Sequence, residues 1–319
     1  VKLKFTYKEQ REFETIDDDI AALEEKVADL DAQLPQILRN WANNDFVQPW
    51  VRERAAQNTK LAANAAAQRH PYQPCYLYES AIEPLEQFPM KGVLWYQGES
   101  NTGDYAMRYG DELKAMIELW RGKWHQPDMP FLIVQLPKFG IDAIEDGGWP
   151  LIREREWRVA DELEHVAAVV TLDAGESNDL HPHDKKTIAD RAFNVAMDFV
   201  YGQQAQPQPV VETAEADDGL LRMHCVWRNS MGEQMQSQNR HLMTLDGDVP
   251  REIDFLWHDC ATSVRAEAWL DGCDIVARIP SRMPDEVRYA WSNSPESGLI
   301  CDGDGVLLPP FHLPLPMVD

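Results

Sequence analysis

The stretch Val93-Leu94-Trp95-Tyr96-Gln97-Gly98-Glu99-Ser100-Asn101 runs from apolar residues into polar ones, and a helical pattern opens just after it at Asp104. An apolar run that ends in a polar loop before a helix is typical of a strand in an α/β sheet. Two more apolar runs follow, at 131–136 and 166–172. Continuous apolar strands that alternate with helices predict a parallel sheet covered on both faces. The predicted fold class is therefore α/β.

Amphipathic segments between and after these strands predict helices at 104–124, 149–163 and 185–200. In open α/β sheets, ligands bind just beyond the carboxyl ends of the strands. Two polar segments occupy such positions, 97–101 after the first strand and 173–181 after the third. We therefore expect the functional residues in these two loops.

The chain changes character on either side of this region. Short apolar runs separated by Asp-Gly and proline turns predict an all-β domain over 204–319, after a domain at 35–203. In 1–34, apolar residues alternate spacings of three and four, which predicts a coiled-coil-like helix that needs a partner helix. Those residues are Phe13, Ile16, Ile20, Leu23, Val27, Leu30 and Leu34. Pro35 ends the pattern.

Composition excludes several classes of function. The formal net charge of −24 repels phosphate backbones, so we expect no nucleic-acid partner. No apolar run approaches the roughly 20 residues that span a bilayer, so no membrane partner is expected. The five scattered cysteines show no CxxC spacing and predict free thiols rather than a zinc site or a disulfide framework. A cytoplasmic location is favoured, although the chain begins with Val1 and its true start is open.

A histidine in the second loop is a candidate general base. His181 follows Asp179 by two residues, and Pro182 favours an extended backbone there. A histidine base needs a carboxylate on its other ring nitrogen to fix its tautomer and stabilise the imidazolium. Asp179 is the nearer candidate for that carboxylate, and Asp173 at the strand end is the second. The alternative is that His181 has only a structural role in this loop.

Both loops carry a family resemblance. The string 95–101 (WYQGESN), together with Asp179-Leu180-His181-Pro182 and Lys185, resembles the sialate O-acetylesterases, SGNH-fold carbohydrate esterases, over residues of about 70–319. The resemblance implies a partial SGNH-type three-layer sheet and hydrolysis of an acetyl ester on a sugar, without metal or cofactor. Sialic acid and xylan-type side groups are both open as substrates.

The same resemblance assigns roles to individual residues. It implies that His181 is the catalytic histidine, that Gln97 donates to the oxyanion and that Glu99 supports the same pocket. Gly98 would let the backbone approach the substrate. Asn101 is a further candidate residue of this site; the alternative is that Ser100 or Asn101 caps the helix that follows.

The serine block of this family is absent from the sequence. The family's serine lies in a GQSN-type string near the start of the domain, and no such string occurs in the 319 residues. Ser100 is rejected as nucleophile because it stands in a different block. We expect an inactive chain that is a truncation or fusion, or else a subunit whose serine comes from another polypeptide. The alternative function is a non-catalytic interaction protein acting through 1–34.

The first 34 residues resemble a different family. The string 5–12 (FTYKEQRE) and the heptads resemble the C-terminal coiled-coil arm of ABC-F ATPases. No Walker A pattern, GxxxxGK[ST], occurs in the sequence, so no nucleotide hydrolysis is expected from this chain.

Overall fold

The structure is a computed structural model. It describes residues 49–54, 75–140, 148–176, 178–203, 206–235, 240–260, 263–295 and 297–315. The chain divides into two compact units, Val1–Phe88 and Pro89–Asp319. The predicted arm at 1–34 lies outside the described residues, and the domain boundaries predicted near 34 and 203 stay predictions.

In the first unit, the described helical turns are short. A π-helical turn spans Tyr78–Ile82, and a 3-10 turn follows at Glu83–Leu85. Pro84 lies in the first turn of this 3-10 helix, where backbone N–H groups have no partner within the helix, so the absence of an N–H on proline costs no hydrogen bond. No helix in the described part of the chain is both long and apolar enough to cross a membrane.

The second unit contains the predicted parallel sheet. Its strands are β1 (Val93–Trp95), β2 (Phe131–Val134) and β3 (Val166–Val169), hydrogen-bonded in the order β1-β2-β3. Both pairs are parallel, with Val93 opposite Phe131 and Phe131 opposite Val166. All four residues of β2 are buried, as expected for a central strand covered on both faces. The prediction of a parallel α/β sheet is confirmed.

The helices also agree with the sequence pattern. A 3-10 segment, Gly103–Arg108, leads into α1 (Tyr109–Lys123), and α2 and α3 span Trp149–Glu162 and Lys185–Phe199. The Asp184 side chain accepts hydrogen bonds from the backbone N–H groups of Lys186 and Thr187 and so caps α3. This cap fixes the point at which the loop after β3 ends.

The C-terminal region is antiparallel β structure, as predicted. Its strands are β4 (Gln208–Asp217), β5 (Leu220–Arg228), β6 (Leu242–Thr244), β7 (Ile253–Leu256), β8 (Val264–Arg265), β9 (Ala268–Asp271), β10 (Asp274–Arg278), β11 (Glu286–Tyr289), β12 (Ile300–Asp302) and β13 (Phe311–Pro314). They form sheets of order β4-β5-β10-β9, β13-β11-β7-β8 and β12-β6. All five cysteines are free, and two of them, Cys225 and Cys301, are buried.

A buried arginine joins this β region to the end of β2. Arg153 on α2 is fully buried, and its guanidinium donates to the carbonyl oxygens of Leu136, Pro137, Ser292 and Asn293 at 2.7–2.9 Å. Burial lowers the pKa of this guanidinium to about 9. Residues 136–137 follow β2, so the β region is tied directly to the carboxyl edge of the parallel sheet.

Candidate active site

The loop after β1 is held by bonds among its own residues. Gln97 Nε2 donates to Asn101 Oδ1 at 2.9 Å, and the Gly98 N–H donates to Glu99 Oε2 at 2.9 Å. The hydroxyl of Tyr109, on α1, donates to the Gln97 carbonyl oxygen. The structure therefore brings Gln97, Gly98, Glu99 and Asn101 together in one bonded loop.

Asn101 does not act as a helix cap. The residue before the 3-10 segment is Thr102, and the one before α1 is Arg108; neither makes a side-chain cap bond. The Asn101 carboxamide instead accepts the bond from Gln97. The capping alternative was therefore wrong, because this side chain turns back toward the strand end.

Gly98 is required by close packing. It is buried, and a Cβ there would stand 2.8 Å from Cγ2 of Ile152 and 3.1 Å from Oε1 of Glu156. Both neighbours belong to α2, which lies against the loop. A glycine thus lets the loop settle directly on α2.

We expect Gly98→Ala to lower the free energy of unfolding by about 1–3 kcal/mol, the usual range for overpacking a tight site. Gly122→Ala is the matched control, because a Cβ at that position in α1 meets nothing within 4 Å. A helical glycine in open space should gain up to about 1 kcal/mol from the change. Urea unfolding of both variants measures this, and equal effects would contradict the packing account.

At the end of β3, Asp173 is engaged by an arginine. Arg191 on α3 donates to both carboxylate oxygens of Asp173, at 2.5 and 2.7 Å, and to the carbonyl oxygen of Val170 at 3.2 Å. A two-pronged arginine–carboxylate bond fixes both groups. Asp173 therefore anchors α3 to the strand end.

Asp179 contacts two histidines in different ways. Its Oδ1 accepts from the backbone N–H of His181 at 2.8 Å, while its Oδ2 lies 3.3 Å from Nε2 of His183. The imidazole of His181 is exposed, and that of His183 is 82% exposed. The structure thus places Asp179 and His181 side by side, with the carboxylate on the backbone of His181 rather than on its ring.

His183 also lies near a second carboxylate, that of Glu176. Its Nδ1 is 3.7 Å from Glu176 Oε2, and one ligand atom from each of Glu176, Asp179 and His183 lies within 4.8 Å of the others. Such a group could hold a divalent cation. The three side chains are half-buried or exposed, and the imidazole nitrogens of His183 lie 3.3 Å and 3.7 Å from the two carboxylates.

Tyr96 brings the two loops together. The Lys185 ammonium, at the start of α3, lies 5.2 Å from the centre of the Tyr96 ring. The ring also packs against an apolar cluster from β2, β3, α3 and the loop after β3, which includes Ile188 of α3 and Ala174 of the loop. In the described part of the chain, no hydrogen bond links Gln97 to Asp179 or His181; Tyr96 contacts Lys185 at the start of α3 and the cluster that contains Ala174 of the loop after β3.

A family model described as "Carbohydrate esterase, sialic acid-specific acetylesterase" matches residues 53–191, a range that contains both loops. The matched stretch is similar to the sialic acid-specific carbohydrate esterases. The match confirms the resemblance found in the two loops. Residues 4–40 separately match the ABC transporter C-terminal domain, in agreement with the second resemblance.

Individual relatives extend the esterase match. The chain is 31% identical to mouse sialate O-acetylesterase over 242 residues, which cover 69% of this chain and 42% of that protein. It is 31% identical to the human enzyme over 170 residues, covering 46% of this chain and 32% of that protein. The chain therefore spans less than half the length of these relatives.

A solved structure is also similar. A carbohydrate acetylesterase from Xanthomonas citri superposes with a TM-score of 0.66 and 29% identity, covering 79% of this chain and 56% of that one. The likeness extends beyond the stretch matched by the esterase family model, since it covers more of the chain.

Sequence reasoning missed a buried acid behind the site. Glu156 on α2 is fully buried, and its Oε2 accepts from the Leu136 N–H at 3.0 Å. Burial raises the pKa of Glu156 well above its ordinary value, and raises the pKa of the Tyr96 hydroxyl to about 12. The amphipathic pattern of α2 gave no sign of this, because a glutamate in a charged helix is normally solvated.

Proposed function

We propose that this chain supplies the histidine, its carboxylate partner and the amide donors of a carbohydrate O-acetylesterase site. The proposal is supported chiefly by Tyr96, which joins the loop after β1 to the start of α3, directly behind the loop that follows β3. Both loops lie at the carboxyl edge of the sheet, within the stretch that matches the esterase family. The three parallel strands would then be part of an SGNH-type three-layer sheet.

The reaction is hydrolysis of an acetyl ester on a sugar. A serine oxygen attacks the carbonyl carbon while His181 takes the serine proton. The tetrahedral oxyanion then expels the sugar oxygen, which receives that proton from the imidazolium and leaves as an alcohol. Water, deprotonated in turn by His181, cleaves the acetyl-serine to acetate and restores the serine.

Asp179 is the proposed partner of His181. In the alternative partner, Asp173, both carboxylate oxygens accept hydrogen bonds from Arg191, so this carboxylate is already held in an ion pair. Asp179 lies two residues from His181 and holds its backbone N–H. A rotation of the exposed imidazole toward Asp179 would give the carboxylate–histidine pair that a general base needs.

Gln97 is the proposed oxyanion donor. Its carboxamide carries two N–H groups, and one of them donates a hydrogen bond to Asn101 Oδ1. This hydrogen bond fixes the carboxamide so that its second N–H group faces the developing negative charge, and no reorganisation is then needed during the reaction. Glu99 keeps the loop in shape by accepting from the Gly98 N–H.

The nucleophile is proposed to come from a further segment. The 319 residues contain no GQSN-type string, and Ser100 lies in the 3-10 turn Glu99–Asn101 among the proposed donors. The acetylated sugar is the proposed small-molecule partner of the completed site.

We expect the 319-residue chain alone to hydrolyse p-nitrophenyl acetate no faster than a non-enzymatic protein at equal concentration. Without the serine nucleophile, only binding and the oxyanion donors remain. The measurement is initial-rate release of p-nitrophenol, with and without a serine-directed phosphonate. Rapid turnover that the phosphonate abolishes would contradict the proposal that the serine comes from elsewhere, and Ser100→Ala would then identify the nucleophile.

A further inference from the structure

The loop that carries Gln97 and Glu99 rests on a buried carboxyl group. Glu156 Oε2 accepts from the N–H of Leu136, just beyond β2, at 3.0 Å. Its Oε1 is buried and has no hydrogen-bond partner among the described residues. That oxygen would lie 3.1 Å from a Cβ on residue 98, so it faces the middle of the loop.

Four ionisable groups interact electrostatically with the Glu156 carboxyl group. Arg153 lies one turn earlier on α2, Glu99 and Tyr96 belong to the loop after β1, and Tyr109 comes from α1. The guanidinium of Arg153 donates to four backbone carbonyl oxygens, and among the described residues no hydrogen bond joins it to Glu156. Burial, with a smaller contribution from the Glu99 charge, keeps the pKa of Glu156 well above 4.5 despite Arg153.

We propose that Glu156 is a positioning residue of the esterase site, a neutral carboxylic acid that joins the end of β2 to the Gln97-Gly98-Glu99 loop. In this form Oε2 is the carbonyl that accepts from Leu136, and Oε1 is a hydroxyl facing Gly98. The hydroxyl of Tyr96, which is also buried and without a partner among the described residues, is within electrostatic reach of Glu156. The inference rests on the proposed function, because Glu156 can position the esterase site only if the loop that it contacts belongs to that site.

A neutral acid suits this position for an electrostatic reason. The proposed oxyanion develops negative charge beside Gln97, and a second carboxylate behind the loop would oppose that charge in a low-dielectric interior. A protonated Glu156 fills the space and holds the strand end without adding charge. Glutamine is the closest neutral replacement, since its carbonyl can accept from Leu136 and its amide group has nearly the same size and shape as the protonated carboxyl.

The test uses the full chain and needs no turnover, so its failure is distinct from failure of the esterase proposal. Glu156→Gln, Glu156→Asp and Glu156→Ala are compared with the wild type by amide NMR of Gly98, Leu136 and the Gln97 side chain. Glu162→Gln is the matched control, because Glu162 is an exposed residue of the same helix, paired with Lys114. The infrared difference between wild type and Glu156→Gln reports the protonation state at pH 7.

We expect the Glu156→Gln and Glu162→Gln variants to keep the Gly98 and Gln97 resonances of the wild type. Glu156→Asp and Glu156→Ala should displace them, because neither replacement spans the distance between Leu136 and Gly98. The infrared difference should show the carbonyl band of a protonated acid. A carboxylate band, or equal displacement by glutamine and aspartate, would overturn the proposal; if the alanine variant does not fold, the Gln–Asp comparison decides alone.

The same group predicts how stability changes with pH. The folded-state pKa of Glu156 lies above the unfolded value, near 4.5. Its contribution to stability is therefore complete below about pH 4.5 and is lost as pH rises through the folded-state pKa. We expect the Tm of the wild type to fall relative to that of Glu156→Gln over this window, while Glu162→Gln follows the wild type. Parallel curves for wild type and Glu156→Gln would contradict a raised pKa.

Discussion

A His181→Ala change is expected to lower kcat/KM for p-nitrophenyl acetate by about 10³-fold or more in a chimaera that has the missing serine. The chimaera places the serine-bearing N-terminal segment of a full-length relative ahead of residue 53, where the family match begins. The loss is large because the serine then has no base to remove its proton. Steady-state kinetics should show the loss mainly in kcat, since the base acts in the transition state.

His183→Ala is the matched control for this experiment. The two histidines are two residues apart in the same loop, and Asp179 contacts the backbone of one and the ring of the other. If His181 is the base, His183→Ala should change kcat/KM less than about tenfold. The opposite order would show that the ring already held by Asp179 is the base, and that the family pattern was assigned to the wrong histidine.

The second large effect concerns the amide donors. In the same chimaera, Gln97→Ala is expected to lower kcat by about 10²–10³-fold, the usual result of removing one oxyanion donor. KM should change little, because the donor acts on charge that develops in the transition state. Stopped or continuous assays of acetate release at saturating substrate measure this effect.

Asn101→Ala provides the comparison for Gln97. Asn101 accepts the bond that orients the Gln97 carboxamide, and a single such bond contributes about 0.5–1.5 kcal/mol. We therefore expect only a roughly two- to tenfold loss of kcat from Asn101→Ala. Equal and mild effects from both changes would mean that the loop after β1 is structural and that the oxyanion is stabilised elsewhere.

The strands and the loops at their ends were predictable from the sequence. The apolar runs at 93–96, 131–136 and 166–172 gave β1, β2 and β3, because central parallel strands need apolar side chains on both faces. Each strand ends before its apolar run does; beyond β2, the Gln135 side chain and the Leu136 N–H donate hydrogen bonds to acceptors on α2. The positions of both site loops followed from these strands.

Contacts that depend on tertiary packing were not predictable. Phe193 lies on the apolar pattern of α3, yet its side chain is 61% exposed. Arg153 and Glu156 are spaced like solvated charges on α2, yet both are fully buried because they bond the backbone beyond β2. Periodicity indicates which face of a helix is apolar. It does not predict that a charged side chain will hydrogen-bond to buried carbonyl or N–H groups from distant segments.

Pairings within the second loop were also beyond the sequence. The spacing of Asp179 and His181 left Asp173 open as the partner carboxylate, and only the structure shows Arg191 on Asp173. Likewise, Asp179 contacts the ring of His183, four residues on, because the loop folds back to bring Glu176 and Asp179 together. Local spacing does not determine which side chains meet in a folded loop.

Acetate release from an O-acetylated sugar is the most direct measurement of the central claim. It should be recorded for the chimaera, for the 319-residue chain and for the serine-bearing segment alone, at equal concentrations. We expect acetate only from the chimaera, because in the proposed site the two loops of this chain supply the base and the donors and the added segment supplies the nucleophile. A folded chimaera without acetate release, or release by the serine-bearing segment alone at the same rate, would contradict the claim that these loops form an esterase site.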